Sequence, residues 1–547
     1  MMDYLPGNTD TMSRLSELEK ALSEEDQYDL HKITSAQQNL EHHYTRWEAI
    51  KAYPRAALYI GIMVWAMITV GYENQASGIV LSVPTFRKDF GHEFEGQYVL
   101  AGNWQSAISG GPYAAFVFGC IVASYITEYT GRKNLMWAAS TLTIALIGVE
   151  FAATSIEVFF TGKFLNAICL GMIQTVGTAY MAELTPLALR GFATTCVNLA
   201  FCIGPFICTL ITYRLSTRED RWAYRAIFCT QWFFAVLTMF LMYYLPESPY
   251  HHVIRNQDEK ALKSLRMIYT SPGVAESQLQ IIRANIEEAN ELASAGSYKE
   301  LFTKSNYKRT LIAIFPFIMQ PMCGLAYVAS YQTYYYQLLG FSTLKSFQIS
   351  CGAQTLSVSG TIVSLFIVDR LGRRFVALYA MISLSILNVL TAALGLKKEY
   401  SFLQASAAFM TMYNFFYNSG IGPIAYVINS EIPTSKLRTK SIAVGLAFSN
   451  ALLCMWSFVL PYMFNPDQAN MGSNINFIFA GCSFTAVFIF YFFLPETAGR
   501  SFEEVDEMYK ERVPPRQWRK YVTREKIESE EVVHEQMKIE TTHVENS

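Results

Sequence analysis

Glu73 lies in VGYENQASG, within a run of apolar residues that begins near position 56. A carboxylate at membrane depth is costly, so one retained there is a functional candidate by default, and the chemistry it offers is holding and releasing a proton. Burial favours the protonated form of such a group, and a neighbouring cation favours the ionised one. The alternative placement is the outer interface, where Glu73 would simply face water. Glu150, near the end of the third apolar run, reads as that interfacial kind. Other chemistries find no support. The chain contains no GxSxG, HExxH or GxxxxGK[ST] sequence, the motifs of hydrolases, zinc proteases and nucleotide-binding loops. Its ten cysteines occur singly from Cys120 to Cys482. With no CxxC pair or His-rich cluster, neither zinc nor a disulfide framework is indicated. No enzyme activity, cofactor or metal is expected.

The elements that must position Glu73 are apolar spans. Of the 547 residues, 52% are hydrophobic and only 16% charged, against about 25% charged in soluble proteins. A net charge of −2 gives no bulk positive potential to attract nucleic acid. Apolar runs fall near 56–79, 103–125, 134–154, 159–182, 192–213 and 225–245, then near 309–336, 347–368, 375–395, 402–430, 440–464 and 475–494. Each is about the 20 residues needed to cross the hydrocarbon core, and backbone in lipid must satisfy its own hydrogen bonds, so each run is predicted as a helix. The sequence therefore predicts an all-α membrane protein of twelve transmembrane helices. The polar segments divide it into an N-terminal tail (1–54), a six-helix half (55–249), a linker (250–306), a second six-helix half (307–495) and a C-terminal tail (496–547). The linker carries helical periodicity in LKSLRMIY and LQIIRANIEEANEL. The chain opens on a polar, acidic stretch, so a cleaved signal peptide is not expected.

Arg132, Lys133, Arg190, Arg370, Arg373, Arg374, Lys436, Arg438 and Lys440 all fall in even-to-odd loops. The positive-inside rule puts those loops and both termini in the cytosol. The basic stretch from Arg214 to Arg225 is an exception on the opposite side. The two halves also repeat one another. EYTGRK (128–133) answers DRLGRR (369–374), ELTPLALRG (183–191) answers EIPTSKLRT (431–439), and LPESP (245–249) answers LPETAGR (494–500). Two related six-helix halves form a transporter plan with its substrate site near the midplane between them.

With PETAGRSFEEVDEMY after the twelfth run, this ordered motif set resembles the sugar porter family of the major facilitator superfamily, over about residues 55–510. Within it, MQPMCGLAYVASYQTYYYQLLGF and GPIAYVINSEIPTSKLRTKS most resemble fungal α-glucoside (maltose) permeases. The resemblance implies that Glu73 stands where the family usually has a proton-coupling Asp, and that Lys163, in TGKFLNAICLG where Arg is usual, is its cation. It implies an inner gate of Glu128, Arg132, Glu183, Arg190, Asp369, Arg373, Arg374, Glu431 and Arg438, which would hold the halves together when the site faces outward. Glu128, Tyr129 and Tyr250 depart from the family pattern there, which implies a looser lock in the first half.

Sugars need amide and hydroxyl partners, and aromatic faces for their C–H surfaces. The resemblance puts these at Gln320, Asn198, Tyr331, Tyr335, Tyr426 and Asn450, with Tyr334, Asn414 and Asn418 as further candidates. Pro321 and Ala326 replace the second glutamine and the asparagine of the family's QQxxGxN pattern, and Tyr426 replaces a tryptophan. Fewer small-sugar contacts and more aromatic surface point to a disaccharide or other glycoside. The expected activity is proton symport of such a sugar by a monomer in the plasma membrane of a fungus; a facilitator, or a nutrient sensor on the same scaffold, is the alternative.

Overall fold

The computed structural model describes residues 50–521, apart from 95–96, 270–271, 296–297, 304–305, 398, 434–436, 466–467, 499 and 501. Most of the two predicted tails therefore lies outside the described residues. The first half comprises α1 (Pro54–Ile79), a short α2 (Pro84–Phe90), α3 (Gly102–Thr130), α4 (Arg132–Ala152), α5 (Ile156–Leu184), α6 (Leu187–Leu215) and α7 (Trp222–Leu241). A two-stranded antiparallel hairpin, β1 (His92–Phe94) with β2 (Gln97–Val99), interrupts the helices; the apolar pattern had not announced it. Three helices fill the polar interval: α8 (Pro249–Ile254), α9 (Asp258–Ile268) and α10 (Pro272–Ala295). The second half comprises α11 (Tyr307–Met322), α12 (Leu325–Leu338), α13 (Thr343–Leu371), α14 (Arg373–Gly395), α15 (Tyr400–Ser419), α16 (Ile421–Glu431), α17 (Arg438–Phe464) and α18 (Ile475–Phe493), followed by α19 (Phe502–Lys510).

Among the described residues, eleven spans are long and apolar enough to cross a membrane. They and the interrupted α15–α16 pair account for the twelve expected. The two longest apolar runs are the two that break. The seventh, 309–336, parts at Cys323–Gly324, where Gly324 adopts φ +105°, a conformation open to glycine but strained for residues with a Cβ. The tenth, 402–430, parts at Gly420. Both interruptions border the central cavity, where irregular backbone is tolerated in a membrane protein.

Close helix approach is set by small residues, as expected where lipid supplies no hydrophobic drive between helices. A Cβ on Gly119 would strike the Ile168 carbonyl, and one on Gly171 the Phe116 carbonyl, locking α3 to α5. The halves meet along α3–α17, α6–α13 and α1–α12. We call the end of the bundle that carries the Arg132 and Arg373 loops and α8–α10 the linker face, and the other the far face.

The basic stretch from Arg214 to Arg225 proves to be partnered at the far face. Arg218 binds Asp220 at 2.9 Å and Arg221 binds Asp89 at 3.1 Å, while Arg225 stacks 5.6 Å from the centre of the Phe151 ring.

Candidate functional site

A cavity of about 320 Å³ lies between the halves, a size typical of small-molecule sites. α1 contributes Asn74 and Gln75, α3 Tyr113 and Phe116, α5 Gln174, and α6 Asn198 and Phe201. From the second half come Gln320, Gln354, Tyr413, Asn414, Tyr417, Asn418, Tyr426 and Asn450. Amides and aromatic rings dominate the wall, and among the described residues no acidic or basic side chain lines it. Such a surface suits a neutral polyhydroxylated ligand, with amides for hydroxyls and ring faces for C–H bonds.

Of the residues expected at the sugar site, Gln320, Asn198, Tyr426 and Asn450 line this cavity, as do Asn414 and Asn418. Gln320 has a second role, because its Nε2 donates to the carbonyls of Ile421 at 3.3 Å and Gly422 at 2.9 Å. It thereby pins the start of α16 at the Gly420 break, leaving its own carbonyl oxygen as the atom it can offer a sugar. Tyr331 and Tyr335 require correction. Both are fully buried and absent from the cavity wall. Tyr331 donates to the Ser457 carbonyl and packs edge-on against Phe464, and the Tyr335 hydroxyl meets those of Ser473 and Ser406. Their neighbour Tyr334 lies at the far face beneath Arg87. A tyrosine run along a helix points in several directions within one turn, so composition could not say which rings face the ligand. Gln75, Gln174 and Gln354 line the cavity but were not among the residues expected there; Gln174 and Gln354 are lone amides inside apolar runs, whereas Gln75 adjoins Glu73 and Asn74.

Beside the cavity, α1, α4 and α5 bring three charges together. Lys163, 0% exposed, forms ion pairs with Glu73 and, at 3.2 Å, with Glu150. The Asn166 amide donates to the other Glu150 oxygen at 3.0 Å, and Nζ lies 4.8 Å from the centre of the Phe228 ring. Glu150 is only 1% exposed, which overturns its reading as an interfacial carboxylate. Proximity to a helix end misled there: α4 reaches past it to Ala152, and α5 and its Gly162 cover it, a Cβ on Gly162 lying 3.0 Å from Glu150 Cγ.

The repeated loops build matching knots on the linker face. In the first half, Glu247 accepts the backbone N–H groups of Arg132 at 2.9 Å and Lys133 at 3.2 Å. Arg132 pairs with Glu183 at 3.0 Å, and Ser248 also bonds Glu183. In the second half, Glu496 accepts the N–H groups of Arg373 at 2.7 Å and Arg374 at 3.2 Å, Arg373 pairs with Glu431 at 2.9 Å, and Thr497 donates to Glu431 at 2.6 Å. Arg374 reaches the Tyr491 carbonyl at 2.6 Å. The Arg132–Glu183 and Arg373–Glu431 pairs each join residues of the same half. Glu128 is exposed, and Arg255 reads its carbonyl rather than its carboxylate. The side chains of Arg190, Asp369 and Arg438 lie outside the described residues. Glu247 and Glu496 are the knot members that loop reading missed, although both stand in the repeated LPE motif.

At the far face the halves touch directly. Arg87 Nη2 donates to Gln337 Oε1 at 2.8 Å, and Gln337 Nε2 to the Ser82 carbonyl at 2.8 Å. Gly78 abuts Ser330, and Ser106 donates to the Phe458 carbonyl at 2.8 Å.

Two pseudo-symmetric helical halves around a polar and aromatic cavity define a membrane transporter rather than an enzyme. A family model described as "Sugar (and other) transporter" matches residues 59–509, and the chain belongs to this family of major facilitator sugar porters. Among curated relatives, a general alpha-glucoside permease of Saccharomyces cerevisiae is 29% identical over 483 residues, covering 86% of this chain and 78% of the relative. The maltose permease MAL61 of Saccharomyces cerevisiae is 27% identical over 484 residues, with the same coverage. Among solved structures, the proton:xylose symporter XylE bound to 6-bromo-6-deoxy-D-glucose aligns with a TM-score of 0.67 at 19% identity, covering 83% of this chain and 99% of that one. The partially occluded inward-open form of XylE from E. coli gives a TM-score of 0.67 at 18% identity, covering 82% and 100%. At that identity the likeness speaks for the fold alone.

Proposed function

We propose that the protein is a proton-coupled symporter of an α-glucoside or other disaccharide, working by alternating access as a monomer in the plasma membrane with both termini cytosolic. The observation that carries this reading is the buried Glu73–Lys163 pair at the edge of an amide- and aromatic-lined cavity between the halves. Glu73 also lines a chamber that shares Asn74, Tyr113 and Phe116 with the cavity, so the protonation state of Glu73 and sugar occupancy act on the same walls. Far-face closure through Arg87, Gln337 and Gly78 fits the inward-facing stage of the cycle. The relatives' names, an alpha-glucoside permease and a maltose permease, agree with the disaccharide assignment.

One proton crossing 100 mV supplies about 2.3 kcal/mol, enough for roughly 50-fold accumulation. The test is uptake of labelled maltose and glucose by transporter-deficient yeast expressing the chain, with and without a protonophore. Concentrative maltose uptake that the protonophore abolishes supports the reading. Downhill entry indifferent to it indicates a facilitator, and no entry of either sugar despite surface delivery indicates a sensor or another substrate.

A further inference from the structure

Coupling at Glu73 leaves Glu150 without a role, yet Glu150 is as deeply buried as Lys163 and touches it. The cluster holds two carboxylates and one ammonium. With both carboxylates ionised it carries a net negative charge in a low-dielectric site; with one protonated it is neutral. A buried charge deprived of its partner is strongly destabilising. A single Glu–Lys pair would face that problem at each turnover, since protonating the carboxylate would strand the lysine.

The two carboxylates differ in access. Glu73 lines a chamber of about 20 Å³, room for one water, and its Oε2 has no hydrogen-bond partner in the protein. Asn74, Tyr113 and Phe116 are walls of both that chamber and the central cavity. Glu150 lines neither space, and one of its oxygens is held by Asn166. Among the described residues, the other titratable groups that interact with the cluster are Tyr72 on α1 and Cys208 on α6. Tyr72 is turned to Thr230 and the Ile227 carbonyl. From α7, Phe228 presents only a ring face to Lys163, and Arg225 is stacked on Phe151.

We propose that Glu150 is a positioning residue, the fixed counter-charge of Lys163, which keeps the lysine paired while Glu73 alone takes up and releases the transported proton. Glu150 thus lets Glu73 become neutral without leaving an orphaned ammonium in the membrane. The pH consequence rests on the symport reading, whereas the pairing consequence does not.

Two measurements on the full-length chain test it. The first is a thermal-stability cycle on purified protein at neutral pH. Glu73→Gln is expected to melt close to the wild type, because Lys163 retains Glu150. Glu73→Gln with Glu150→Gln melts far lower, or fails to fold, and adding Lys163→Met restores it. A double variant as stable as Glu73→Gln, or one that Lys163→Met does not rescue, overturns the proposal.

The second is the pH profile of sugar uptake. Glu150→Gln removes one of the two negative charges of the cluster, and the midpoint of proton-dependent uptake is expected to move about one pH unit or more towards acid. A purely structural loss would lower the maximum rate and leave the midpoint in place, which overturns the proposal. Uptake by the wild type that does not depend on pH sinks the symport reading instead, and the stability cycle then decides the role of Glu150 by itself.

Discussion

Glu247 and Glu496 do the same work in opposite halves: each turns its carboxylate onto the first two backbone N–H groups of a helix that follows a left-handed glycine. Those N–H groups have no intrahelical partner, and a carboxylate at a helix N-terminus gains from the helix dipole as well. Gly131 (φ +89°) and Gly372 (φ +91°) are required twice over, since a Cβ would lie 2.6 Å from Glu247 Oε2 or 2.5 Å from Glu496 Oε2. Glu496→Ala is expected to cost about 1–3 kcal/mol of stability through the orphaned N–H groups, and Gly372→Val at least as much, both read as a lower melting temperature of purified protein. Glu496→Gln keeps an acceptor and should fall between Glu496→Ala and the wild type.

Far-face closure depends on Gly78. A Cβ there would lie 2.6 Å from both Cα and the carbonyl oxygen of Ser330, backbone atoms that cannot swing aside. Gly78→Val should hold the α1–α12 seam open. Whole cells should still bind sugar from outside, while the translocation rate falls at least about tenfold, the equivalent of roughly 1.4 kcal/mol. Unchanged uptake would show that this seam does not close during transport.

The cavity and the aromatic core separate by kinetics. Asn450→Ala and Gln320→Ala, at the cavity wall, are predicted to raise the KM for sugar about tenfold, the scale of one lost hydrogen bond to a polar ligand. Tyr331→Phe removes a buried hydroxyl whose acceptor is the Ser457 carbonyl. It should cost about 1 kcal/mol of stability and leave KM unchanged. Initial-rate kinetics beside melting curves distinguish the two outcomes.

At the linker face, burial holds the His251 imidazole below its ordinary range; the Glu247 carboxylate pulls the other way and the Arg132 guanidinium adds to the lowering. Arg132 Nη1 lies 3.2 Å from His251 Nδ1, and arginine only donates, so Nδ1 is the acceptor in a neutral ring. With the folded pKa depressed, the stability His251 contributes is complete above its unfolded value of about 6.5 and is lost as pH falls through the folded value. Melting temperatures measured from pH 7.5 down to 5.5 should therefore drop more in the wild type than in His251→Asn. Parallel curves would contradict this.

The sequence was informative wherever a signal was periodic or repeated. Apolar runs located the spans, and the loop repeat located the paired arginines and glutamates. It was weak where a fact depends on which way a side chain turns. Nothing in the Tyr331–Tyr336 run says that Tyr331 and Tyr335 enter a packed core, or that Tyr334 meets Arg87. Glu150 was misread because distance from a helix end is a poor proxy for burial when a neighbouring helix overlaps it. Glu247 and Glu496 escaped notice because their ligands are backbone N–H groups, which carry no residue identity.

If sugar and proton cross together by way of Glu73, the exchange is visible in liposomes holding the purified protein and a trapped pH dye, with an inward maltose gradient and no imposed pH gradient. Adding maltose to the wild type is expected to acidify the lumen. Glu73→Gln is expected to give no acidification, while maltose exchange across the membrane persists. Maltose entry through the wild type with no movement of protons would contradict symport.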